Sequence, residues 1–481
     1  MENNGFIKQL VRHFSAVKEK TIAFSLYDGS QVVNITYRQF LNDILKAIGF
    51  FVHKDIKEQH IAIASANSYD WIVTFFAITG SGNIAVLLNQ DLPEDIIAGQ
   101  CKQADVEMIC VDVPLDSAET KDRNRNMKCV RFEEIRTGQP ITVSDMFPSN
   151  PDDTIVMMFT SGTTGRSKIV EFSSYNTQSI LDDLEEIVSS PAMRSFLLTF
   201  PLYHISGLIT VLSLLRGYRT VDIGRGIKYL LADISKLNPT FVAMVPSTLS
   251  SFVKLLKTVK SEGERQKYIG SNLEGISVNG ASVKQSLCRY MMELGIEVQS
   301  SYGMTESAGA GTWCVWNEAT IGSIGKPFGK TECRIVDGEL LMRSPSVMKG
   351  YYKDPEETAK LIEDGWLHTG DLAFCDEKGY YYLTGRKKNV IILSNGENVN
   401  PEEIESQFDE CKDILECMVY SDGKGICADI YTENKTAAAD FIKKYNENVP
   451  LYRQVYKVTY SAAPLAKTGS GKIKRKENAY V

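Results

Sequence analysis

The stretch TSGTTGRSK, residues 160–168, concentrates groups that bind anions. Thr160, Ser161, Thr163 and Thr164 bring hydroxyls, Gly162 and Gly165 free the backbone to turn its N–H groups toward a ligand, and Lys168 adds a cation. A nest of this kind suits phosphate. TIVMMF (154–159) before it and IVEF (169–172) after it both read as strands, so the loop joins strand to strand. A Walker loop requires GxxxxGK[ST] opening a helix, and neither spacing nor context fits here. A hairpin turn would share the same Gly, Ser and Thr content for conformational reasons alone. The loop by itself leaves both readings open.

Further clusters carry chemistry. SYGMTESAG (301–309) holds Tyr302, Thr305 and Glu306: a ring that can pack on a purine, a hydroxyl for a phosphate, and a carboxylate for Mg²⁺, which takes oxygen ligands. GWLHTGDLA (365–373) sets Asp371 after a Thr-Gly turn, where an aspartate at a strand end can accept both hydroxyls of a ribose. GRKKNVIILSNGENVNPEEIE (385–405) carries Arg386, Lys387 and Lys388, either a solvated boundary or a hinge, with Gly396 further on. PLAKTGSGKIKRKE (464–477) puts Lys472 beside glycines, where a mobile segment could carry it into a cleft.

These groups need elements to hold them. The chain has 481 residues, more than one core usually serves, so two or more domains are expected. Its 43% hydrophobic and 23% charged content are those of a globular enzyme, and a net charge of −7 argues against general nucleic-acid binding. MENNGFIKQL is too polar for a signal peptide, and the ten cysteines form no CxxC pair, so reduced thiols and a cytoplasmic setting are expected. The apolar stretch 71–88 is broken by TGSGN, which argues against a membrane span. The five histidines show no metal-ligand spacing.

HIAIASAN, NIAVLL, VEMICVDV, SFLLTF, TFVAMVP and GISVNG read as buried strands, and YDWIVTFFAITGSG reads as a helix ending in glycine. Strands alternating with helices give an α/β fold with parallel pairing. YYYLTGRKKNVIIL passes from one strand through a charged break into another, and PEEIESQFDE reads as a helix opened by proline. The expected organisation is a large, multi-layer N-terminal domain of mixed and parallel sheets flanked by helices (1–385), a hinge at 386–388, and a small, mobile α+β C-terminal domain (389–481).

Taken together and in this order, TSGTTGRSK, PLYHISGL (201–208), SYGMTE, GELLMRSPSVMKGYYKDPEET (338–358), WLHTGDLA, GRKKNVI and KTGSGKIKR resemble the adenylate-forming, AMP-binding superfamily. That superfamily holds acyl- and aryl-CoA ligases, non-ribosomal adenylation domains and firefly luciferase. The matching segments run from residue 160 to 475, and the GRKKNVIILSNGENV form is similar to bacterial acyl-CoA synthetases. The usual Pro-Lys-Gly exit of the phosphate loop is here Ser167-Lys168-Ile169.

The resemblance implies an AMP-forming acid–thiol ligase using ATP, Mg²⁺ and coenzyme A. Thr160 to Gly165 and Lys168 would hold the β- and γ-phosphates, Thr305 the α-phosphate, and Glu306 the metal. Asp371 and Arg386 would take the ribose, Tyr302 would flank the adenine, and Gly280 and Ala281 would line the nucleotide and acid pocket. Lys472 would bridge the attacking carboxylate and the α-phosphate, Lys388 would be the pivot, and Gly396 would lie near the thiol channel. His204, in PLYHISGL, resembles the gate residue of acyl- and aryl-CoA ligases.

No acid lies beside Tyr203 and His204 to pair with a substrate amine, which disfavours an α-amino acid. A fatty or aromatic acid is the expected substrate, the former placing the enzyme in fatty acid metabolism. PLYHISGL is also similar to the segment of o-succinylbenzoate–CoA ligases. A carrier-protein phosphopantetheine is the rival thiol, and an acyl carrier protein a possible partner. A non-catalytic nucleotide-binding scaffold and a luciferase-type oxygenase are the alternatives from other classes.

Overall fold

The computed structural model describes residues 5–113, 127–160, 167–259, 261–280, 283–393, 395–467 and 473–475. Among them the strands form two large sheets, a smaller five-stranded sheet, and, toward the C-terminus, a two-stranded and a three-stranded sheet. The larger sheet runs Lys326–Pro327, Gly311–Val315, Glu297–Gly303, Gly275–Val278, Phe241–Met244, Ser195–Leu198, Thr220–Ile223, Ile22–Tyr27 and Val32–Thr36. The second runs Gly350–Tyr351, Ile169–Ser173, Thr154–Phe159, Ile84–Leu87, His60–Ile63, Met108–Val111 and Lys128–Arg131.

The interiors of both sheets are parallel, as the alternating pattern implies; both flanks of the first sheet are antiparallel, whereas the second is antiparallel only on the side of Ile169–Ser173 and stays parallel out to its edge strand Lys128–Arg131. Parallel strands need helical crossovers that bury both faces, and the helices supply them. Tyr69–Gly80 is apolar on every side and almost wholly buried, a core helix rather than a surface one. Helix starts are fixed locally: Thr36 and Gln39 form a capping box before Tyr37–Val52, and Ser173 and Asn176 do so before Ser174–Val188. No helix among the described residues is long and apolar enough to cross a membrane.

Because the parallel strands point one way, their carboxyl ends and the turns after them share one edge of each sheet. In open α/β sheets that edge is where ligands bind. Thr160, Pro201–His204, Gly280 and Thr305 all follow such ends.

A smaller sheet of Glu332–Val336, Glu339–Arg343, Trp366–Cys375, Ile362–Glu363 and Tyr381–Arg386 carries Asp371. The expectation of a strand end at Asp371 is corrected here. It lies inside Trp366–Cys375, next to Gly370, whose φ of 69° demands glycine, and beside a register irregularity between Leu372 and Ala373. The local kink, rather than a terminus, aims the side chain.

Beyond Arg386 the anticipated second strand shrinks to Ile391–Ile392, hairpinned with Asn398–Val399. A turn at Gly396 (φ 83°) closes it, with the Gly396 N–H donating to Leu393 O at 2.8 Å. Helix Pro401–Phe408 opens with proline and two acids, as read from the sequence. Ile391, Val399, Ile404, Phe408, Val419 and Ile430 belong to a hydrophobic cluster separate from those of the large sheets.

Candidate active site

The strand Glu297–Gly303 delivers two functional groups four residues apart, Tyr302 at its end and Glu306 in the 3-10 turn Thr305–Ser307 beyond it. Gly303 and Gly311 make the passage possible. A Cβ on Gly303 would lie 2.5 Å from Gly309 O, and one on Gly311 would lie 2.1 Å from Tyr302 O. After the turn Ala308 holds a left-handed φ of 55°, a conformation that costs an alanine on the order of 1 kcal/mol. The turn is pinned by the Ser307 hydroxyl, which donates to Ala310 O at 2.6 Å.

Tyr302 reaches the first corner of the site. Its hydroxyl donates to Asp371 Oδ2 at 2.5 Å, while Arg386 Nε donates to Oδ1 at 2.6 Å. Asp371 and Arg386 are register partners on neighbouring strands, so sheet pairing sets their approach. Burial, and then the Asp371 charge, push the Tyr302 phenol well above its ordinary pKa, which keeps it a donor. Arg386 also donates to Thr369 O, and the Thr369 hydroxyl receives the Asp371 N–H. Beneath lies buried Glu339, which accepts from Gly370 N and from Lys387 Nζ, both at 2.9 Å. Burial pushes Glu339 upward, but these donors outweigh it and hold the carboxyl below its usual value. A vicinal diol brought to this corner would meet the Asp371 carboxylate with the Arg386 guanidinium and the Tyr302 hydroxyl held beside it.

Glu306 reaches the second corner. It is 9% exposed, and its Oε1 accepts from the Tyr351 hydroxyl at 2.8 Å. Among the described residues its Oε2 has no hydrogen-bond partner. No group of three or more His, Cys, Asp or Glu side chains converges among the described residues. A divalent ion at Glu306 would therefore complete its shell from phosphate and water, the donor set magnesium favours.

Tyr351 pairs with Val170 on the strand that follows the phosphate loop. Over its ring, 4.7 Å from the centroid, stands Lys168 Nζ, which also donates to Glu357 Oε2 at 2.6 Å. Thr160 N–H to Lys168 O, 2.9 Å, closes the base of the loop. Thr160 and Lys168 are thus brought together with Glu306, and Thr305 lies half-buried beside it in the chain. Ser161, Gly162, Thr163, Thr164, Gly165, Ala281 and Lys472 lie outside the described residues. Lys467 and Ile473, which bracket the last, form an antiparallel bridge, and Lys467 is anchored to Glu416 at 2.6 Å.

His204 stands at the N-cap position of helix Ile205–Arg216, its ring 4.8 Å from that of Tyr203. The segment is held by Asn67, whose Oδ1 accepts from Leu202 N and whose Nδ2 donates to Phe200 O, both at 2.8 Å. A Cβ on Gly207 would lie 2.1 Å from Pro201 O, so the helix can start this close only with glycine there. Gly280, at φ 94°, follows Asn279, whose Oδ1 accepts from the Ser301 N–H and hydroxyl and so locks that turn to the Tyr302 strand.

Lys388 lies exposed in the turn Lys387–Asn389. Its neighbours are tied to different places, Lys387 to Glu339 and Asn389 to Glu402 Oε1 at 2.6 Å. Gly396 sits at an exposed hairpin tip, apart from both corners.

Sequence reasoning missed Tyr351, Glu357 and Asn67. Tyr351 and Glu357 stand in GYYKDPEET, inside a segment already similar to the superfamily, but nothing in their spacing tells that they face Glu306 and Lys168. Asn67 looks like an ordinary turn residue.

Comparison with known proteins agrees with this geometry. The model of the AMP-binding enzyme family matches residues 12–352. The 2-succinylbenzoate–CoA ligase of Bacillus cytotoxicus is 27% identical over 449 residues, 88% of each chain. That of Oceanobacillus iheyensis is 30% identical over 378 residues, 75% of each. The o-succinylbenzoate CoA synthetase of Bacillus subtilis, solved with its acyl-adenylate intermediate, superposes with a TM-score of 0.82 over 98% of this chain and 96% of that one, at 22% identity. With two thirds of its length matched by the family model and both corners built from the motifs that suggested it, the chain belongs to the AMP-binding enzyme family.

Proposed function

We propose that the protein is an ATP-dependent carboxylic acid–coenzyme A ligase working through an acyl-adenylate. One observation carries this reading. A single four-residue step, Tyr302 to Glu306, joins a corner built to accept a diol to a corner built around a lysine and a free carboxylate oxygen. A nucleotide spanning that step would have its ribose on Asp371 and Arg386 and its phosphates between Lys168 and Glu306. The base would lie against the Tyr302 strand and the turn at Gly280.

In the first half-reaction an oxygen of the acid attacks the α-phosphorus and pyrophosphate leaves, giving the mixed anhydride. An anion thereby meets a polyanion, and in a water-poor cleft the repulsion reaches several kcal/mol. Donors preset at the place where charge builds up offset it. Lys168 and the hydroxyls of Thr160 to Thr164 serve the outer phosphates, Thr305 the α-phosphate, and Lys472 the α-phosphate and incoming carboxylate together. Glu306 would hold magnesium, which would supply charge neutralisation to the phosphates. In the second half-reaction the thiol attacks the acyl carbon and AMP leaves with the bonding electrons.

Lys472 must then withdraw, so residues 389–481 form a small domain that swings about 386–388, with Lys388 as pivot. In support, the side-chain anchors change from the Asp371 sheet to the helix Pro401–Phe408 between residues 387 and 389. The swing brings the Gly396 turn toward the thiol.

His204 gates the acid pocket beside the helix Ile205–Arg216. Since the relatives above are named as 2-succinylbenzoate ligases, that aromatic acid is the first to try, followed by fatty acids; free coenzyme A is the thiol, against a panel of acyl carrier proteins. The test is acid-dependent pyrophosphate release across this panel, with ¹⁸O from the acid appearing in AMP. Formation of ADP instead would sink the reading. Lys472→Ala is expected to abolish adenylate formation yet still convert supplied acyl-adenylate to thioester; equal loss of both would remove the domain swing.

A further inference from the structure

The phosphate corner contains a carboxylate that the reading above does not use. Glu357 stands in the first turn of helix Pro355–Leu361 and binds Lys168 with Oε2 at 2.6 Å and Lys360 with Oε1 at 2.5 Å. Its frame is rigid. The Asp354 side chain caps the helix by accepting from Glu357 N, and the Thr358 hydroxyl accepts from Tyr351 N at 2.8 Å and donates to Asp354 O at 2.8 Å. Tyr351 and Tyr352 are in turn hydrogen-bonded to the strand that begins at Ile169, next to Lys168. Lysine has a long, rotamer-rich stem and no intrinsic direction. Here its ammonium is fixed from one side by Glu357 and from below by the Tyr351 ring, and the hydroxyl of that ring holds Glu306.

We propose that Glu357 is a positioning residue for the triphosphate: acting through Lys168, it sets the ammonium at a fixed separation from Glu306, so that the outer phosphates and their magnesium are received together. This rests on the function proposed above. An anion beside a triphosphate site would ordinarily repel the ligand. Lys360 removes that cost by neutralising Glu357 from the far side, where its own side chain is exposed. Glu357 is thus shared between two lysines, and the Lys168 ammonium stays held in place over the Tyr351 ring. Because Glu357 acts only on the outer phosphates, AMP and the acyl-adenylate, which lack them, should not sense it.

Calorimetric binding of Mg·ATP and of AMP to the full-length protein tests this, using wild type, Glu357→Ala, Glu357→Asp, Lys168→Ala and the double variant. Glu357→Ala is expected to weaken Mg·ATP about tenfold, roughly the worth of one charge-assisted hydrogen bond, and to leave AMP unchanged. Glu357→Asp should recover part of the loss, and Glu357→Ala should add nothing once Lys168 is alanine. Thioester formation from supplied acyl-adenylate should survive. Lys360→Gln, a surface change that leaves the fold alone, should weaken Mg·ATP a few-fold at low salt and not at high salt, where such charges are screened.

Equal weakening of AMP, multiplicative losses in the double variant, or tighter Mg·ATP binding by Glu357→Ala would each overturn the inference. The binding assay needs no acid, so wild-type protein that releases pyrophosphate while Glu357→Ala binds Mg·ATP normally defeats this inference alone. Wild-type protein that binds neither nucleotide defeats the functional reading with it.

Discussion

The two corners of the site solve opposite problems. At the Asp371 corner every charge is already matched: the carboxylate is almost fully buried, takes Arg386 and Tyr302 on separate oxygens, and rests on a second pair, Glu339 with Lys387. At the Lys168 corner the charges are positioned but only partly matched. Lys168 leans on Glu357, and one oxygen of Glu306 has no partner among the described residues. A neutral diol is recognised by a finished hydrogen-bond network, because an unpaired buried group would cost more than the ligand returns. A polyanion needs the reverse, a cation and a metal-binding oxygen held ready and incompletely satisfied, so that binding completes them.

Substitutions should separate the corners, from the largest effect to the smallest. Asp371→Ala leaves the Tyr302 hydroxyl and Arg386 without their shared partner. It should lower folding stability by about 3 kcal/mol, the low end for breaking a buried ion pair because Arg386 is 42% exposed and can turn to water. Chemical denaturation reads this, and ATP and AMP binding should fall together. If stability holds, the first corner is not the finished network described here.

Glu306→Gln should change stability little, since Tyr351 can still donate to the amide oxygen, though without the carboxylate's charge. Pyrophosphate release should nonetheless drop about 10²-fold, as when a single preset electrostatic group is removed; a matching fall in melting temperature would make Glu306 structural. Tyr351→Phe removes only the tie between Glu306 and the ring. A loss of about 1 kcal/mol in adenylation, read as a several-fold drop in rate at saturating magnesium, is expected.

The smallest effect is an absence. Lys168, followed by Lys360, holds the Glu357 carboxyl down to about 2. A depressed carboxyl keeps its pairing above its ordinary pKa and loses it only as pH falls through the lowered one. Mg·ATP affinity should therefore show no inflection from Glu357 above about pH 5. A step there that vanishes in Glu357→Gln would mean that Lys168 is not its steady partner.

Much of this was legible beforehand. Strand-to-strand context at residues 154–172 excluded a Walker loop, and the hairpin has that form. The helix Tyr69–Gly80 and the proline-opened Pro401–Phe408 lie where periodicity and capping put them, because both signals are local. Asp371 was misplaced on a strand end, since a Thr-Gly pair reads as a turn and only the neighbouring strand reveals a kink inside a longer one.

The sequence by itself determined which groups are present, their order, and the alternation that makes parallel sheets with a common carboxyl edge; these depend on local propensity and on periods of two and 3.6 residues. Which groups meet was decided only by tertiary structure. Glu357 lies 189 residues from Lys168, and Asp371 lies 69 from Tyr302. No local pattern encodes such distances. They follow from how a mixed sheet, a kinked strand and a short helix pack against one another, and that packing is a property of the whole chain.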